Sequence, residues 1–269
     1  WFKANLDDRR TLVTPASLSR TDTGWSPRAG LIWQPTTAQT YYVSYSYAFL
    51  PSAEQLGLTT TTNGLEPETA QNYEVGARWD LKPKLTLSTA VYQLERNNVK
   101  AVNPAVPGTF VQTGQLRTRG AELSLQGDVT KNWHVFGGYA YTDARVAQSF
   151  NSNTTATTAS LVPVNNKVGL VPENTFSLWN KFDFSGGLGA GLGLIYQGSS
   201  YTSYTNTVKL PSFARVDSAV YYTFAGNKTR LALNVENLFN KKYWPTVDGD
   251  NNISVGAPIN ARVTLTTSF

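Results

Sequence analysis

The stretch "NYEVGARWDLKPKLTLSTAVYQL", residues 72–94, is two runs of alternation joined by a break. Tyr73, Val75, Ala77 and Trp79 fall on one side of the first run, and Glu74, Arg78 and Asp80 on the other. After Lys82-Pro83-Lys84 the pattern resumes with Leu85, Leu87 and Val91. Side chains of a strand alternate between two faces, and proline punctuates a turn. The stretch therefore predicts a tight hairpin with one apolar and one charged face.

The same period recurs through the chain, and no segment sustains a 3.6-residue apolar period for three turns. Further strands are expected at 26–34, 40–49, 120–129, 133–142, 175–184, 188–197, 213–224 and 230–239, at the terminal 260–269, and in the opening "WFKANL". With the two above, that makes twelve. The connectors alternate in length. Short ones are "QPTTA" (34–38), "DLKPK" (80–84), "GDVTK" (127–131), "SGG" (185–187) and "AGNK" (225–228). Long polar ones lie near 9–24, 50–68, 96–111, 146–172, 200–211 and 240–257. Short turns at one end and long loops at the other describe an up-and-down sheet, and match a membrane barrel better than a sandwich.

The faces point the same way. One carries Tyr41, Val43, Tyr45 and Tyr47, then Val135, Tyr139 and Tyr141, then Leu192, Leu194, Val220, Tyr222, Leu231, Leu233, Val263 and Leu265, with aromatics near strand ends. The other carries Arg28, Glu74, Arg78, Glu122, Lys181, Arg215, Asp217, Arg230, Glu236 and Arg262, the lining of a wet interior. Only a closed barrel satisfies every strand's backbone in lipid. The expected class is all-β, a transmembrane antiparallel β-barrel. The final strand, "NARVTLTTSF", alternates up to Phe269 on the lipid-facing register, where a barrel must close, and its terminal aromatic resembles the C-terminal signature that outer-membrane assembly machinery reads.

Composition agrees. Of 269 residues 41% are hydrophobic and 15% charged, and the mean hydropathy is −0.29. A transmembrane helix needs about 20 mostly apolar residues, and no such run exists, although alternating membrane strands also average out as polar. Cysteine is absent, which excludes disulfide and thiol chemistry. Methionine is absent too, and no charged leader precedes "WFKANLDDRR", so the sequence reads as a piece of a longer precursor. The net charge of +5 fits an anionic ligand or surface, or ordinary solubility; nothing points to nucleic acid.

Several stretches resemble the C-terminal part of TonB-dependent siderophore receptors. They are "YYVSYSYAFLPSAEQLG" followed by "LEPETAQNYEVGARWDL", then "QTGQLRTRGAELSLQG", "NTVKLPSFARVDSAVYYTF", "LALNVENLFNKKYW" and "GAPINARVTLTTSF", in the family's order. The resemblance is nearest to receptors for catecholate or hydroxamate ferric siderophores. It implies the bacterial outer membrane, a 22-stranded barrel filled by an N-terminal plug, and a coupling motif that contacts TonB. Residues 1–269 would then be the last twelve strands, unless the chain closes on itself as a twelve-stranded barrel. Lipid and lipopolysaccharide would surround it.

A ferric siderophore brings its own oxygen ligands, so no metal cluster and no resident cofactor are expected. Aromatic faces and cationic donors suit such a chelate. Phe49, Arg96, Arg117, Arg119, Tyr201, Tyr204, Tyr243 and Trp244, at the long-loop ends, are the ligand candidates, with Arg117 and Arg119 foremost among the charged ones. Loop packing or contact with lipopolysaccharide is the alternative for each. The stripe Gly187, Gly189, Gly191, Gly193 would let the plug approach, or loosen the strand. Arg215 with Asp217, Arg230 with Glu236, and Arg78 with Glu74 or Asp80 are natural pairs, either meeting the plug or lining a hydrated lumen. His134, the single histidine, would sit at the short-turn end. A twelve-stranded outer-membrane enzyme of phospholipase type and a passive pore are the rival readings, and no catalytic constellation is assigned.

Overall fold

Pairing of main chains, strand against next strand, organises the whole molecule. The computed structural model describes residues 2–8, 16–51, 66–102, 110–149, 162–224, 226, 228–248 and 250–268. β1 (Phe2–Asp8) and β2 (Ala16–Asp22) form a hairpin of their own. Then come β3 (Arg28–Thr36), β4 (Gln39–Leu50), β5 (Glu68–Lys82), β6 (Leu85–Val102), β7 (Phe110–Asp128), β8 (Trp133–Gln148), β9 (Asn174–Asp183) and β10 (Leu188–Gln197). Two small hairpins, β11 (Ser200–Tyr201) with β12 (Lys209–Leu210) and β15 (Thr246–Val247) with β16 (Ile253–Ser254), interrupt the later connections. β13 (Phe213–Thr223), β14 (Thr229–Glu236) and β17 (Asn260–Thr267) complete the set. Eleven of these form one antiparallel sheet in the order β17-β14-β13-β10-β9-β8-β7-β6-β5-β4-β3.

The register keeps each face pure across many strands. One ladder runs Leu31–Val43–Val75–Val91–Ala121–Tyr141, and another Leu188–Tyr222–Leu231–Leu265. The opposite face holds the ladder Gly30–Ser44–Glu74–Tyr92–Gly120–Thr142. A one-residue slip would exchange the faces, so the pattern of side chains itself fixes the pairing. The apolar face has no second layer over it among the described residues: Val75 and Val91 in mid-sheet are each 55% exposed. Aromatic pairs cluster near the short turns, with Trp33–Tyr41 centroids 5.3 Å apart, Trp133–Phe182 5.9 Å and Tyr222–Phe224 5.0 Å. Buried side chains gather instead at the long-loop end, where Val99, Leu116, Val146 and Val162 pack with Val168 and Tyr204.

Three expectations need correction. The sheet has eleven strands, because β1 pairs with β2, a strand hidden in the stretch read as a polar connector. It is open, with β3 and β17 as edges, so the described residues do not form a closed twelve-stranded barrel. The strands also run further toward the long loops than apolar alternation indicates: β6 extends to Val102, β7 begins at Phe110 and β8 ends at Gln148. There apolar residues are sparse, Val99, Leu116 and Val146 among polar neighbours, too few to give a period, and main-chain pairing carries the strands on. Phe269 lies outside the described residues.

Candidate functional site

The inner, charged face forms a wall beneath the long connections. Mid-height, Tyr42 donates to Glu74 Oε1 at 2.6 Å. These two, with Arg78, Ser88, Glu122 and Ser177, line an open hollow of about 710 Å³. Arg78 pairs with Asp80 at 3.2 Å, as its spacing on one strand face anticipates, and Asp80 also accepts from Thr86 at 2.8 Å. Arg28 shares this face, opposite Ser46.

Near the short turns, His134 is held by carboxylates on both sides, Asp128 at 2.5 Å from Nδ1 and Asp183 at 2.9 Å from Nε2. Neither ring nitrogen is left to take a proton from a serine, so the arrangement contains no nucleophile–base pair. Lys181 donates to the same Asp183 oxygen at 2.8 Å. Tyr221 is flanked by two cations, Arg230 at 4.2 Å and Lys181 at 5.4 Å from its centroid. Arg230 therefore does not meet Glu236; Arg262 does, at 4.0 Å. Six residues along one strand are about 20 Å, beyond any side chain's reach.

The glycine stripe has a local cause that its sequence does not announce. A Cβ on Gly191 or Gly193 would stand 2.3 Å or 2.5 Å from the Trp179 ring, and one on Gly189 would stand 2.0 Å from Tyr221. Two aromatic rings lie flat across the strand and occupy the space that side chains would need.

At the long-loop end a polar network joins strand tops to connections. Arg215 donates to Asp217 at 2.7 Å and to the Tyr243 hydroxyl at 3.1 Å. Asp217 accepts from the Asn237 backbone at 2.8 Å, and the buried Asn237 amide reaches the carbonyls of Lys241 and Ala257. Asn237 takes φ 53, a conformation asparagine tolerates and most residues resist. Thr202 donates to Asp250 at 2.5 Å, joining two separate connections. That bond, with weaker ones from Ser203, Thr207 and Thr205, holds the Asp250 carboxyl below its ordinary range.

The ligand candidates separate into groups. Arg96 lies on the inner face, 2.6 Å from Glu68. It stands close enough to Tyr204 to act on its hydroxyl, which burial pushes up. Tyr201 carries Lys209 over its ring at 5.6 Å. Trp244 is half-buried, while Tyr243 is buried against Phe213 at 4.6 Å and braces Arg215. Arg117 and Arg119 are elsewhere. Register sets Arg117 opposite Glu95 and Arg145, and Arg119 opposite Gln93 and Asp143, on the face of Leu123 and Tyr141. They project from the apolar side of the sheet, away from Arg96. Phe49 shares that side and lies against Gly24. The sequence places 112–119 between the connector expected at 96–111 and the strand expected at 120–129, so it assigns these residues no face. Glu68, Tyr42, Trp179 and Asn237 went unremarked because nothing in their local sequence sets them apart.

With this geometry in hand, comparison with known proteins is informative. The family described as TonB dependent receptor-like, beta-barrel, matches residues 1–238. A probable TonB-dependent siderophore receptor, PiuA of Acinetobacter baumannii, is 28% identical over 226 residues, covering 81% of this chain and 30% of its own length. The ferrioxamine receptor of Yersinia enterocolitica is 32% identical, covering 83% of this chain and 30% of its own. The metal-pseudopaline receptor CntO of Pseudomonas aeruginosa is 27% identical, covering 94% and 35%. The crystal structure of PiuA superposes with a TM-score of 0.85 over 98% of this chain and 38% of that one, at 23% identity, a likeness of fold. The chain thus spans about a third of the length of these relatives. Family match, strand order and segregated faces agree: the chain belongs to the TonB-dependent receptor β-barrel family.

Proposed function

We propose that residues 1–269 are the C-terminal part of the barrel of a bacterial outer-membrane receptor that captures a ferric siderophore and admits it with energy delivered through TonB. The observation that carries this is the single-layer sheet. One face is apolar and uncovered, the other is charged, and every long connection leaves from the same end. Hydrocarbon is the solvent that suits the first face and a hydrated lumen the second. Eleven strands are half of a 22-stranded barrel, and the edges of β3 and β17, unpaired among the described residues, support the reading that a second half joins there. Phe269, two residues beyond β17 in the sequence, is the residue the assembly machinery reads.

Arg28, Glu74, Arg78, Gly189, Gly191, Arg215, Asp217, Arg230, Glu236 and Arg262 line the lumen toward a plug encoded elsewhere. Arg215 Nε, buried and without a hydrogen-bond partner among the described residues, is where a plug carbonyl fits. The ligand approaches from the long-loop end, where Arg96, Tyr201, Tyr204 and Trp244 offer a cation and aromatic faces; Tyr243 supports them from below. TonB engages segments outside this chain.

The test is a tryptophan-fluorescence titration of the full-length receptor in detergent with a ferric catecholate, a ferric hydroxamate, and each chelator without iron. Saturable quenching by one ferric complex at sub-micromolar concentration is expected. Equal responses with and without iron would remove iron from the reading, and no saturable response would remove siderophores.

A further inference from the structure

On strands with neighbours on both sides, the guanidinium groups at the long-loop end of the inner face are already matched. Arg96 on β6 lies 2.6 Å from Glu68 on β5, and Arg215 on β13 lies 2.7 Å from Asp217. Arg28 and Arg262 stand on the two edge strands, the latter 4.0 Å from Glu236. Arg117 and Arg119 add nothing here, because they project from the opposite face. Lys167 pairs with Glu173. Among the side chains described at this end, the remaining lysines are Lys209, over the Tyr201 ring, and the exposed Lys241 and Lys242. These are hydrated charges on flexible stems. The connections themselves are rich in hydroxyl and amide groups, and 147–166 and 200–208 contain no charged residue.

The two inner pairs differ in the donors they leave open. Arg215 spends its Nη groups on Asp217 and the Tyr243 hydroxyl. Arg96 gives only Nε to Glu68; among the described residues its Nη groups carry no hydrogen bond, and the side chain is 40% exposed. Arg96 therefore presents free donors whose charge a neighbour has cancelled. Backbone pairing fixes both members. Glu68 opens β5 opposite Leu50, and the Asn98 amide holds the carbonyl of the preceding Pro67 at 3.0 Å. Arg96 stands opposite Leu116, against which Tyr204 packs from the β11–β12 connection. One guanidinium, its carboxylate and an aromatic ring thus share a place on the inner wall.

Charge decides which ferric chelate such a wall accepts. Three hydroxamates bring one negative charge each and leave ferric iron neutral, whereas three catecholates bring two each and leave a trianion. Setting a trianion against cations that carboxylates already balance costs desolvation with little attraction to offset it. A neutral chelate edged with amide and hydroxamate oxygens needs only donors. We propose that Glu68 sets the charge class of the cargo. It cancels Arg96 yet leaves the Nη donors open, so this end of the inner face takes neutral ferric hydroxamates and turns away ferric catecholates. The proposal deepens the receptor reading above and rests on it.

The experiment titrates the full-length receptor with a neutral ferric trihydroxamate and a trianionic ferric tricatecholate, following tryptophan fluorescence. The parent is expected to bind the hydroxamate at least about tenfold more tightly. Glu68→Gln, checked for folding by heat-modifiable migration, should strengthen catecholate binding about tenfold and change hydroxamate binding by less than about twofold. Adding Arg96→Gln to that variant should remove the gain. Catecholate binding by the parent as tight as hydroxamate binding, or tighter, would overturn the proposal, and this comparison needs no variant. An unchanged catecholate affinity in folded Glu68→Gln would overturn it too, as would a gain that survives the loss of Arg96. The two readings fail differently. Saturable binding of the catecholate alone condemns only the charge class, whereas no saturable response to either chelate condemns the receptor reading itself.

Discussion

Asp250 shows how one carboxylate can tie two loops. It draws on Thr202 in one connection from its place in another, and Thr207 lies 3.4 Å from its second oxygen. These bonds favour the charged form and depress its pKa. A depressed carboxylate stabilises the folded arrangement above its unfolded value, about 3.9, and the contribution is lost as pH falls through the folded value. Amide protection factors in 200–208 and 246–254, which correct for intrinsic exchange at each pH, should therefore be unchanged from neutral pH down to pH 5 and fall only in strong acid. Asp250→Asn should lower them already at neutral pH, and a fall at pH 5 in the parent would refute the latch. At the glycine stripe, Gly191→Val drives a side chain into the Trp179 ring. It should destabilise the full-length receptor by about 1–3 kcal/mol in urea titration, and Trp179→Ala in the same background should recover part of the loss. Spacing alone revealed which inner residues share a face, but not whom they touch. Arg230 was paired on paper with Glu236, yet its nearer neighbour is the Tyr221 ring on the adjacent strand, a relation set by register between distant segments.

Single strands test the assignment of faces directly. On β17, Val263 belongs to the outward ladder with Leu233, and Thr264 to the inward one with Ala232. Val263→Arg should cost the full-length receptor about 2–4 kcal/mol of folding stability in bilayers if it lies near the midplane, while Thr264→Arg should cost far less. Equal costs would mean that the faces do not meet different solvents. Elements were legible in the sequence where their two faces differ. "NYEVGARWDL" and "LTLSTAVYQL" announce themselves because one side is apolar and the other charged. "QTGQLRTR", equally a strand, carries polar residues on both sides and so gives no period to read. For the same reason the sequence placed Arg117 and Arg119 at a long-loop end without giving their direction.

For the molecule as a whole, the decisive property is that the sheet ends twice. β3 and β17 present main-chain groups with no partner among the described residues, and exposed strand edges recruit other edges. Residues 1–269 expressed alone should therefore appear in detergent as polydisperse assemblies by light scattering, whereas the full-length receptor gives one species. A monodisperse fragment would show that the edges find each other. Fold class was legible at this scale because hairpin geometry writes itself into connector lengths. The extra hairpin β1–β2 was not, since its second strand offers no contrast between its faces.

Strand order in the sheet follows the chain without exception, each barrel strand beside its predecessor. Order of this kind has a kinetic meaning. Each new pairing closes only a local loop, so the entropic cost of assembly arrives in small instalments and growth can proceed by zippering. In the barrel proposed above, the one pairing that would lack this advantage is the seam between β17 and the far end. That makes the seam the step at which catalysed insertion has most to contribute, and the place where an unassisted chain would stall.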